Sequence, residues 1–284
     1  SVPTISMFED LSASDKPSNR FCALWSSGKG GVGKTSLAVN LGLTLARQGR
    51  RTVLLDADFG MANAHILLGA NPKRFIMDAI KGDAPLADTM CDAPHGLKFI
   101  SGGSGLLEML NIEKTTRYQA IRMIDEIRDQ TEILVVDAPA GASDSSIAFL
   151  AAADHVVVVL VGEPTSFLDA YALIKAANIE SGVTHFSIVV NMVRSEREAR
   201  AYFDKFKETA SRFLDVSLHF AGFLPLSERV RRAVVNRRPV GMDSPQLPEN
   251  QAFMGISKSV LATPLNDQAG IRFFADMEAA PAGP

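Results

Sequence analysis

The sequence predicts an α/β fold: a single three-layer domain with a mostly parallel central sheet and helices on both faces. Short runs rich in Val, Ile and Leu recur along the chain without polar alternation, as in strands that are buried on both faces. Segments with helical spacing separate these runs, and such alternation predicts parallel strands joined by right-handed crossovers. The predicted strands are residues 21–25, 52–55, 97–100, 133–136, 156–161, 187–190 and 218–223.

The connecting segments carry the spacing of helices. Leu37, Leu41 and Leu45 recur one turn apart after the first strand, and Gly49 marks the end of that helix. A later helix is predicted over residues 170–177, and we interpret Thr165 as its N-terminal cap.

The domain organisation is predicted to be simple, because neither an internal repeat nor a Gly/Ser/Pro-rich linker interrupts the middle of the chain. Residues 1–20 are polar and are expected to form a flexible leader. Residues 21–263 are expected to form the folded domain. Residues 264–284 are expected to form a C-terminal tail that includes a short amphipathic helix.

Composition limits the classes of function. The chain has 284 residues and a formal net charge of −3, which argues against a protein that coats nucleic acid through overall charge. Its two cysteines, Cys22 and Cys91, show no metal-ligand spacing, so we expect a reducing, cytoplasmic setting. No stretch approaches the roughly 20 apolar residues of a membrane-spanning helix, and the first residues lack the pattern of a signal peptide.

A phosphate-binding loop follows the first predicted strand and precedes the first predicted helix, the context that this motif requires. Its glycines let backbone N–H groups turn toward phosphate oxygens, and the helix directs its positive end at the same charge. We expect Lys34 to reach the β and γ phosphates, Thr35 to bind magnesium and Ser36 to bond the α phosphate. The loop consists of Gly28, Lys29, Gly30, Gly31, Val32, Gly33, Lys34 and Thr35.

Three aspartates end predicted strands, at the edge where parallel sheets bind ligands. Asp137 ends an apolar run and is the expected Walker B residue, which holds the water shell of magnesium, and Gly141 after it is expected to sense the γ phosphate. Asp56 and Asp58 end the second strand. We expect Asp56 to face magnesium and Asp58 to orient the attacking water; the alternative is that these carboxylates cap loops.

Lys29 is a second lysine inside the loop, and with it the sequence resembles the MinD/ParA family, the deviant Walker A ATPases. The resemblance implies a P-loop ATPase that hydrolyses ATP with Mg²⁺ and forms a homodimer with ATP, in which Lys29 reaches the partner's nucleotide. A surface lysine is the alternative. Residues 56–63 and 137–141 resemble the two switches of the family.

Residues 163–175, which read EPTSFLDAYALIK, resemble the FlhG/FleN (YlxH-like) group of that family. The resemblance covers residues 21–240 and implies control of flagellar number, placement or gene expression. The implied partners are flagellar assembly or transcription-regulator proteins, such as an FlhF-like GTPase or a flagellar activator. It also implies that Asn191 and Pro225 line an adenine pocket, although a buried Asn bonded to backbone is an alternative for the first.

The sequence departs from the family pattern in three places. His65 stands where a carboxylate is usual. It would alter partner contacts or make the switch pH-sensitive, but the sequence favours a plainly exposed histidine. Residues 1–20 lack the short motif with which family members stimulate FlhF. In the tail, Ile271, Phe274 and Met277 share one predicted helical face, which would be either a peripheral membrane anchor or a surface that packs on the domain or on the dimer partner.

One alternative function is that of a MinD-type ATPase positioned at a membrane. Two further alternatives also use a P-loop. A ParA-type DNA-partitioning ATPase would use the basic cluster Arg229, Arg231, Arg232, Arg237 and Arg238, but this cluster lacks interleaved aromatic residues and is more typical of a solvated helix face. Nucleic-acid binding is therefore not expected. A nitrogenase-like iron protein would need cluster thiolates, for which two cysteines are too few.

Overall fold

The computed structural model describes residues 21–58, 63–102 and 114–274, and within them eight strands form one sheet. The strand order is β3-β4-β2-β5-β1-β6-β7-β8, and every neighbouring pair is parallel except β3 and β4. The strands are β1 (Phe21–Ser26), β2 (Thr52–Asp56), β3 (Met90–Asp92), β4 (Lys98–Ser101), β5 (Ile133–Asp137), β6 (His155–Leu160), β7 (His185–Val193) and β8 (Ser217–Pro225).

Helices cover both faces of this sheet. Successive side chains along each strand therefore point alternately into one of two cores. One core contains Trp25 and Phe253, and the other contains Phe149 and Phe186. The α-helices of the described residues are α1 (Lys34–Arg47), α2 (Ala64–Leu68), α3 (Ile76–Ile80), α4 (Lys114–Met123), α5 (Asp144–Ala152), α6 (Pro164–Ser181), α7 (Glu196–Phe213), α8 (Glu228–Val235) and α9 (Pro248–Leu261).

The structure confirms the predicted three-layer α/β architecture and places a strand at each of the seven predicted runs. It adds β3, a three-residue antiparallel strand at the edge of the sheet that is only partly buried. The predicted leader, residues 1–20, lies outside the described residues. The domain boundaries at 21–263 stay a prediction.

The predicted cap of α6 at Thr165 is wrong. The helix begins at Pro164, and Glu163 occupies the N-cap position with extended backbone. Proline suits the first helical position because its fixed φ matches the helix and its missing N–H would have no partner there. Ser166 instead fixes the start of the helix, since its hydroxyl accepts a hydrogen bond from the Val161 backbone N–H at 3.1 Å.

The tail differs from the predicted amphipathic helix over its described part. Residues 264–274, here called the C-terminal strap, contain no helix and cross the amino edge of the sheet. Phe273 is buried and stacks on Phe149, with ring centroids 6.3 Å apart. Ile271 and Phe274 pack beside it on the same core. These apolar side chains therefore pack on the domain, while Met277 lies outside the described residues.

The sheet order brings the ends of three strands together at the carboxyl edge. β5 lies between β1 and β2, and Asp137 at its end pairs in register with Trp25 on one side and Asp56 on the other. The phosphate-binding loop follows β1 directly, so the loop and both aspartates meet at this edge.

Candidate active site

The backbone of the phosphate-binding loop adopts left-handed conformations at two of its glycines. Gly31 and Gly33 adopt φ values of 79° and 85°, a region that other residues enter only with strain. A Cβ on Gly33 would lie 2.4 Å from Asn191 Nδ2, and one on Gly28 would lie 2.2 Å from the backbone of Asp169 and Ala170. The loop is therefore wedged between β7 and α6, and side chains at these two positions would displace it.

Lys34 and Asp137 form a buried ion pair at the centre of the site. Lys34 Nζ contacts Asp137 Oδ1, and the two side chains are only 8% and 2% exposed. The Thr35 side chain also bonds to Asp137. Burial raises the pKa of Asp137, and the Lys34 ammonium opposes this shift. The structure thus brings together the predicted phosphate lysine, the magnesium threonine and the Walker B aspartate.

Asp56 is held rigidly beside this pair. One of its carboxylate oxygens accepts the N–H of Asp58 and the other accepts the N–H of Ala64, both at 3.1 Å. Burial, with the neighbouring Asp137 charge as the second cause, raises the pKa of Asp56 to about 7. Asp58 lies two residues further along the chain and is half-buried. Residues 59–62 of the predicted first switch lie outside the described residues.

These groups fit a magnesium site. Mg²⁺ prefers oxygen ligands and keeps several of its waters in nucleotide sites, so it needs few direct protein ligands. The described residues contain no group of three His, Cys, Asp or Glu side chains placed to bind a metal directly. Thr35 can bind directly, and the crowded carboxylates of Asp56 and Asp137 can hold the surrounding waters.

Gly141, the predicted γ-phosphate sensor, follows β5 at this edge. Its backbone N–H donates to the Ser27 carbonyl at 2.8 Å, and its φ is 86°. The group therefore already has a partner within the chain. A phosphate contact would require this hydrogen bond to open, so the sensing role stays a prediction.

A cavity of about 420 Å³ adjoins the loop where the adenine pocket is predicted, and Asn191 and Pro225 both line it. Asn191 Nδ2 donates to the Val32 carbonyl at 2.9 Å, and its Oδ1 accepts the Met192 N–H at 2.8 Å. The backbone-bonded alternative is thus what the structure shows, yet an amide retains a second N–H and a second lone pair for a base. Ser36, Leu37, Leu226, Val230 and Phe253 also line the cavity.

Sequence reasoning missed Met192 and the wall that α8 provides. Met192 lines the cavity with φ 58°, a left-handed backbone conformation that is strained for this residue type. The clue in the sequence was its place directly after Asn191. Val234 and Val235 of α8 line the same cavity and are 42% and 77% exposed, which leaves an apolar rim.

Lys29 lies at the outer rim of the loop. Its Nζ pairs with Glu163 Oε2 at 2.6 Å and contacts Thr165 Oγ1 at 3.2 Å. The side chains of Lys29 and Glu163 are 30% and 61% exposed, so the pair faces solvent. Residues 163–175 therefore meet the loop directly, a contact that sequence spacing did not predict.

His65 is not the plainly exposed histidine that the sequence favoured. It is half-buried on α2, and its Nδ1 is buried without a hydrogen-bond partner in the described part of the chain. Burial lowers the pKa of His65, so the neutral ring is favoured. A role in the switch stays a prediction.

The arginine cluster is exposed and pairs with carboxylates. Arg231 and Arg232 both contact Glu228, at 3.2 and 3.3 Å, and Arg229 contacts Glu249 at 2.9 Å. Acidic neighbours thus compensate much of the positive charge. This agrees with the predicted solvated helix face and gives no support to a nucleic-acid surface.

The fold and the site define a P-loop nucleoside triphosphatase. The ParA family model, described as "NUBPL iron-transfer P-loop NTPase", matches residues 20–261. The chain is 41% identical over 251 residues to the antiactivator FleN of Pseudomonas aeruginosa, covering 88% of this chain and 90% of FleN. The chain belongs to the ParA/MinD family of P-loop ATPases.

Two further relatives agree with this assignment. The flagellum site-determining protein YlxH of Helicobacter pylori is 32% identical over 232 residues, 79% of this chain and 76% of YlxH. Among solved structures, MinD in the Aquifex aeolicus MinC:MinD complex superposes with a TM-score of 0.70 at 22% identity, covering 88% of this chain and 100% of that one. Pyrococcus horikoshii MinD with Mg-ADP gives 0.68 at 22% identity, with 85% and 95% covered. The structural matches show the shared fold.

The family description names iron transfer, but the cysteines of this chain do not form a thiolate site for iron. Cys22 is buried on β1 and Cys91 lies on β3, and these are the only two cysteines. β4, β2 and β5 lie between the two strands, so the strands are about 19 Å apart at the usual strand spacing. They cannot bind one iron–sulfur cluster within a single chain.

No helix within the described ranges has the length and apolarity needed to cross a bilayer.

Proposed function

We propose that this protein is a regulatory ATPase whose ATP-bound form is a homodimer that controls flagellar number, placement or flagellar gene expression. The observation that carries the proposal is the Lys29–Glu163 contact at the rim of the loop. It joins the second loop lysine to the segment that resembles the FlhG/FleN group. Relatives named for antiactivation and flagellum site determination support the flagellar output.

The loop binds the triphosphate in this proposal. Backbone N–H groups of residues 28–35 surround the phosphates, Lys34 moves from Asp137 to the β and γ oxygens, and Ser36 bonds the α phosphate. Asn191 and Pro225 hold the adenine in the adjoining cavity, which both residues line. Thr35 would bind Mg²⁺ directly, with Asp56 and Asp137 behind its waters, and the bound ion would neutralise charge on the phosphates.

Hydrolysis is assigned to Asp58, which orients the attacking water. Asp58 lies two residues beyond Asp56, whose side chain accepts the Asp58 N–H and so fixes the backbone at that point. Phosphoryl transfer to water depends mainly on positioning and electrostatic stabilisation, so one well-placed carboxylate suffices. Slow hydrolysis would act as a timer that returns the dimer to monomers.

Dimerisation is assigned to Lys29. Two triphosphates that face each other across an interface repel strongly, and a lysine from each chain can neutralise the partner's phosphates. Lys29 is suited to this task because its contacts with Glu163 and Thr165 are at the surface, where they exchange readily for a stronger anion. We place the protein in the cytoplasm. Its proposed partners are flagellar transcription regulators or FlhF-like GTPases.

The decisive measurement is the mass of the full chain in solution with Mg-ATP. The hydrolysis-deficient Asp58→Ala protein should be a stable dimer with ATP and a monomer with ADP. Lys29→Ala in the same background is the matched control, and it should bind ATP yet remain monomeric. A strictly monomeric Asp58→Ala protein at saturating ATP would exclude the dimer switch.

The flagellar output needs a separate test in a flagellated bacterium that carries this protein. Deleting the gene should change flagellar number, and the wild-type gene should restore it whereas the Lys29→Ala allele should not. ATP-trapped Asp58→Ala protein should capture a flagellar regulator or GTPase that Lys29→Ala protein does not. An unchanged flagellar number would reject the output while leaving the ATPase intact.

A further inference from the structure

Strand β7 ends in a bulge beside the phosphate-binding loop. The register between β7 and β8 shifts after Val190, so Asn191 and Met192 of β7 stand opposite a single residue of β8. A bulge of this kind points a side chain in a new direction, and bulges are common next to active sites. This bulge lies at the carboxyl edge of the sheet, the edge that carries the nucleotide site.

The bulge holds Met192 in a left-handed backbone conformation. Its φ is 58°, which costs conformational energy for a residue with a side chain. The Asn191 side chain offsets this cost, because its Oδ1 accepts the Met192 N–H at 2.8 Å and its Nδ2 donates to the Val32 carbonyl at 2.9 Å. The strained backbone is therefore tied directly to the phosphate-binding loop.

The Met192 side chain reaches the junction between the loop and the adjoining cavity. Its Cε atom lies 3.7 Å from the position that a Cβ on Gly33 would occupy. Met192, Gly33 and Ser36 all line the cavity of about 420 Å³. Met192 is 47% exposed, so a ligand in the cavity would cover apolar surface that the domain leaves open.

Met192 differs from the other apolar residues that line the cavity. Leu37 and Phe253 are buried and offer little surface to a ligand. Val234 and Val235 are exposed, but they belong to α8, in which no residue is buried. Met192 is both exposed and fixed, by the bulge and by Asn191. It therefore offers a ligand a preorganised apolar surface.

We propose, on the basis of the ATP binding proposed above, that Met192 is a substrate-binding residue whose thioether covers one face of the nucleotide base. Ser36, the expected partner of the α phosphate, lines the same cavity, so a base attached beyond that phosphate lies next to Met192. A thioether packs favourably against an aromatic ring, and its unbranched chain adapts to the ring's shape. Asn191 reads the polar edge of the base, and Met192 covers its flat face.

The test compares Mg-ADP with magnesium pyrophosphate, which keeps the two phosphates but lacks the base. In calorimetric titrations of the full chain, Met192→Ala should weaken ADP binding about three- to tenfold, the range that a thioether–ring contact supplies. Its affinity for pyrophosphate should equal that of wild type. Met192→Leu keeps an apolar side chain of similar volume and should lose less than about threefold. Met77→Ala on α3 is the matched control, since Met77 does not line the cavity, and it should bind ADP like wild type.

Met192→Gly separates the loss of the side chain from damage to the bulge. Glycine adopts a φ of 58° without strain, so this variant should be at least as stable as Met192→Ala. It should weaken ADP binding to the same degree, because both variants lack the thioether. In hydrolysis assays both should raise the KM for ATP while kcat stays within about twofold of wild type, since the phosphates and the attacking water are held by other groups.

Methionine ¹³C-methyl spectra test the contact independently of affinity. The ring current of the adenine should move the Met192 ε-methyl signal upfield when ADP binds, and pyrophosphate should leave this signal in place. The spectrum of Met192→Leu identifies the signal. If wild type bound no ADP, the proposed ATPase function itself would fail. If wild type bound ADP but Met192→Ala bound it equally well, or lost as much affinity for pyrophosphate as for ADP, only the role of Met192 would be overturned.

Discussion

The two edges of the central sheet are built on opposite principles. At the carboxyl edge, Lys34, Asp56 and Asp137 are buried together, and the pKa values of both aspartates are raised. At the amino edge, Arg272 of the C-terminal strap pairs with Asp154 at 3.0 Å, and Phe273 fills the core. The first edge holds charges that need a ligand, and the second closes the domain.

The hydrogen bonds of the two edges show the same contrast. At the amino edge, Asp154 accepts the Cys22 N–H at 2.8 Å, and the Asn266 side chain bonds to backbone groups at the starts of β6 and β7. At the carboxyl edge, the site leaves a cavity of about 420 Å³ beside the loop. Binding sites need space for a ligand and charges that the ligand can neutralise. We therefore expect function to depend on the carboxyl edge and stability mainly on the amino edge.

The largest effects are expected at the carboxyl edge, where one substitution should lower both the rate of ATP hydrolysis and the free energy of unfolding. Lys34→Met should lower the ATP hydrolysis rate by at least about a hundredfold, because it removes a cation that stabilises the transferring phosphate. It should also cost about 3 kcal/mol of unfolding free energy, since Asp137 is left buried without its cation.

The double variant Lys34→Met/Asp137→Asn should regain much of this stability but no hydrolysis. Urea unfolding and phosphate release measure the two quantities. If the double variant were as unstable as Lys34→Met, the buried charge would not be the cause.

The second largest effect is expected at the amino edge, where a substitution should lower the free energy of unfolding without changing the nucleotide site. Phe273→Ala should lower the unfolding free energy by about 3 kcal/mol, because it removes a buried ring that stacks on Phe149. Phe213→Ala is the matched control, since that ring is 72% exposed, and it should change stability by less than about 0.5 kcal/mol. Below the melting range, the hydrolysis rate of both variants should equal that of wild type; a large drop for Phe273→Ala would contradict the division between the edges.

A smaller effect depends on pH and comes from His155, which is buried beside Thr263. Burial lowers the pKa of His155 from 6.5 to about 4. The unfolded chain therefore takes up a proton more readily, so stability falls as pH drops below 6.5 and the loss is complete near pH 4. This group should account for up to about 3 kcal/mol over that range.

His155→Asn keeps a polar group near Thr263 Oγ1 and removes this titration. The variant should be less stable than wild type at pH 8 but should lose less stability between pH 6.5 and pH 4. Parallel stability curves for the two proteins would show that His155 does not titrate in this way.

The fold was predictable where local pattern and burial agree. Apolar runs identified β1 and β5 because both faces of these strands are buried, and the glycine pattern located the loop between strand and helix. β3 was missed because a three-residue, half-exposed edge strand has no periodicity to detect.

The sequence predicted which side chains meet at the carboxyl edge but not their contacts, and their roles stay predictions. Asp56 and Asp137 lie together as expected because parallel strands end at one edge, and Thr35 lies beside them because the loop that leads to α1 starts at the same edge. The Ser27–Gly141 hydrogen bond and the position of Phe273 depend on tertiary packing between segments distant in sequence. The amphipathic pattern of residues 271–277 predicted a helix that extends beyond the described residues; within the described part, Phe273 is buried in the core and stacks on Phe149, a contact that the pattern does not reveal.

The smallest effect on stability tests the surface of the carboxyl edge. Lys29 and Glu163 are 134 residues apart, and their 2.6 Å contact is partly exposed. A double-mutant cycle with Lys29→Ala and Glu163→Gln should give a coupling of about 0.5 kcal/mol that fades in high salt, because solvent screens such pairs. The Lys34–Asp137 cycle should give several times more. A Lys29–Glu163 coupling as large as that of the buried pair would mean that Lys29 is a structural group, and its assignment to the dimer would then fail.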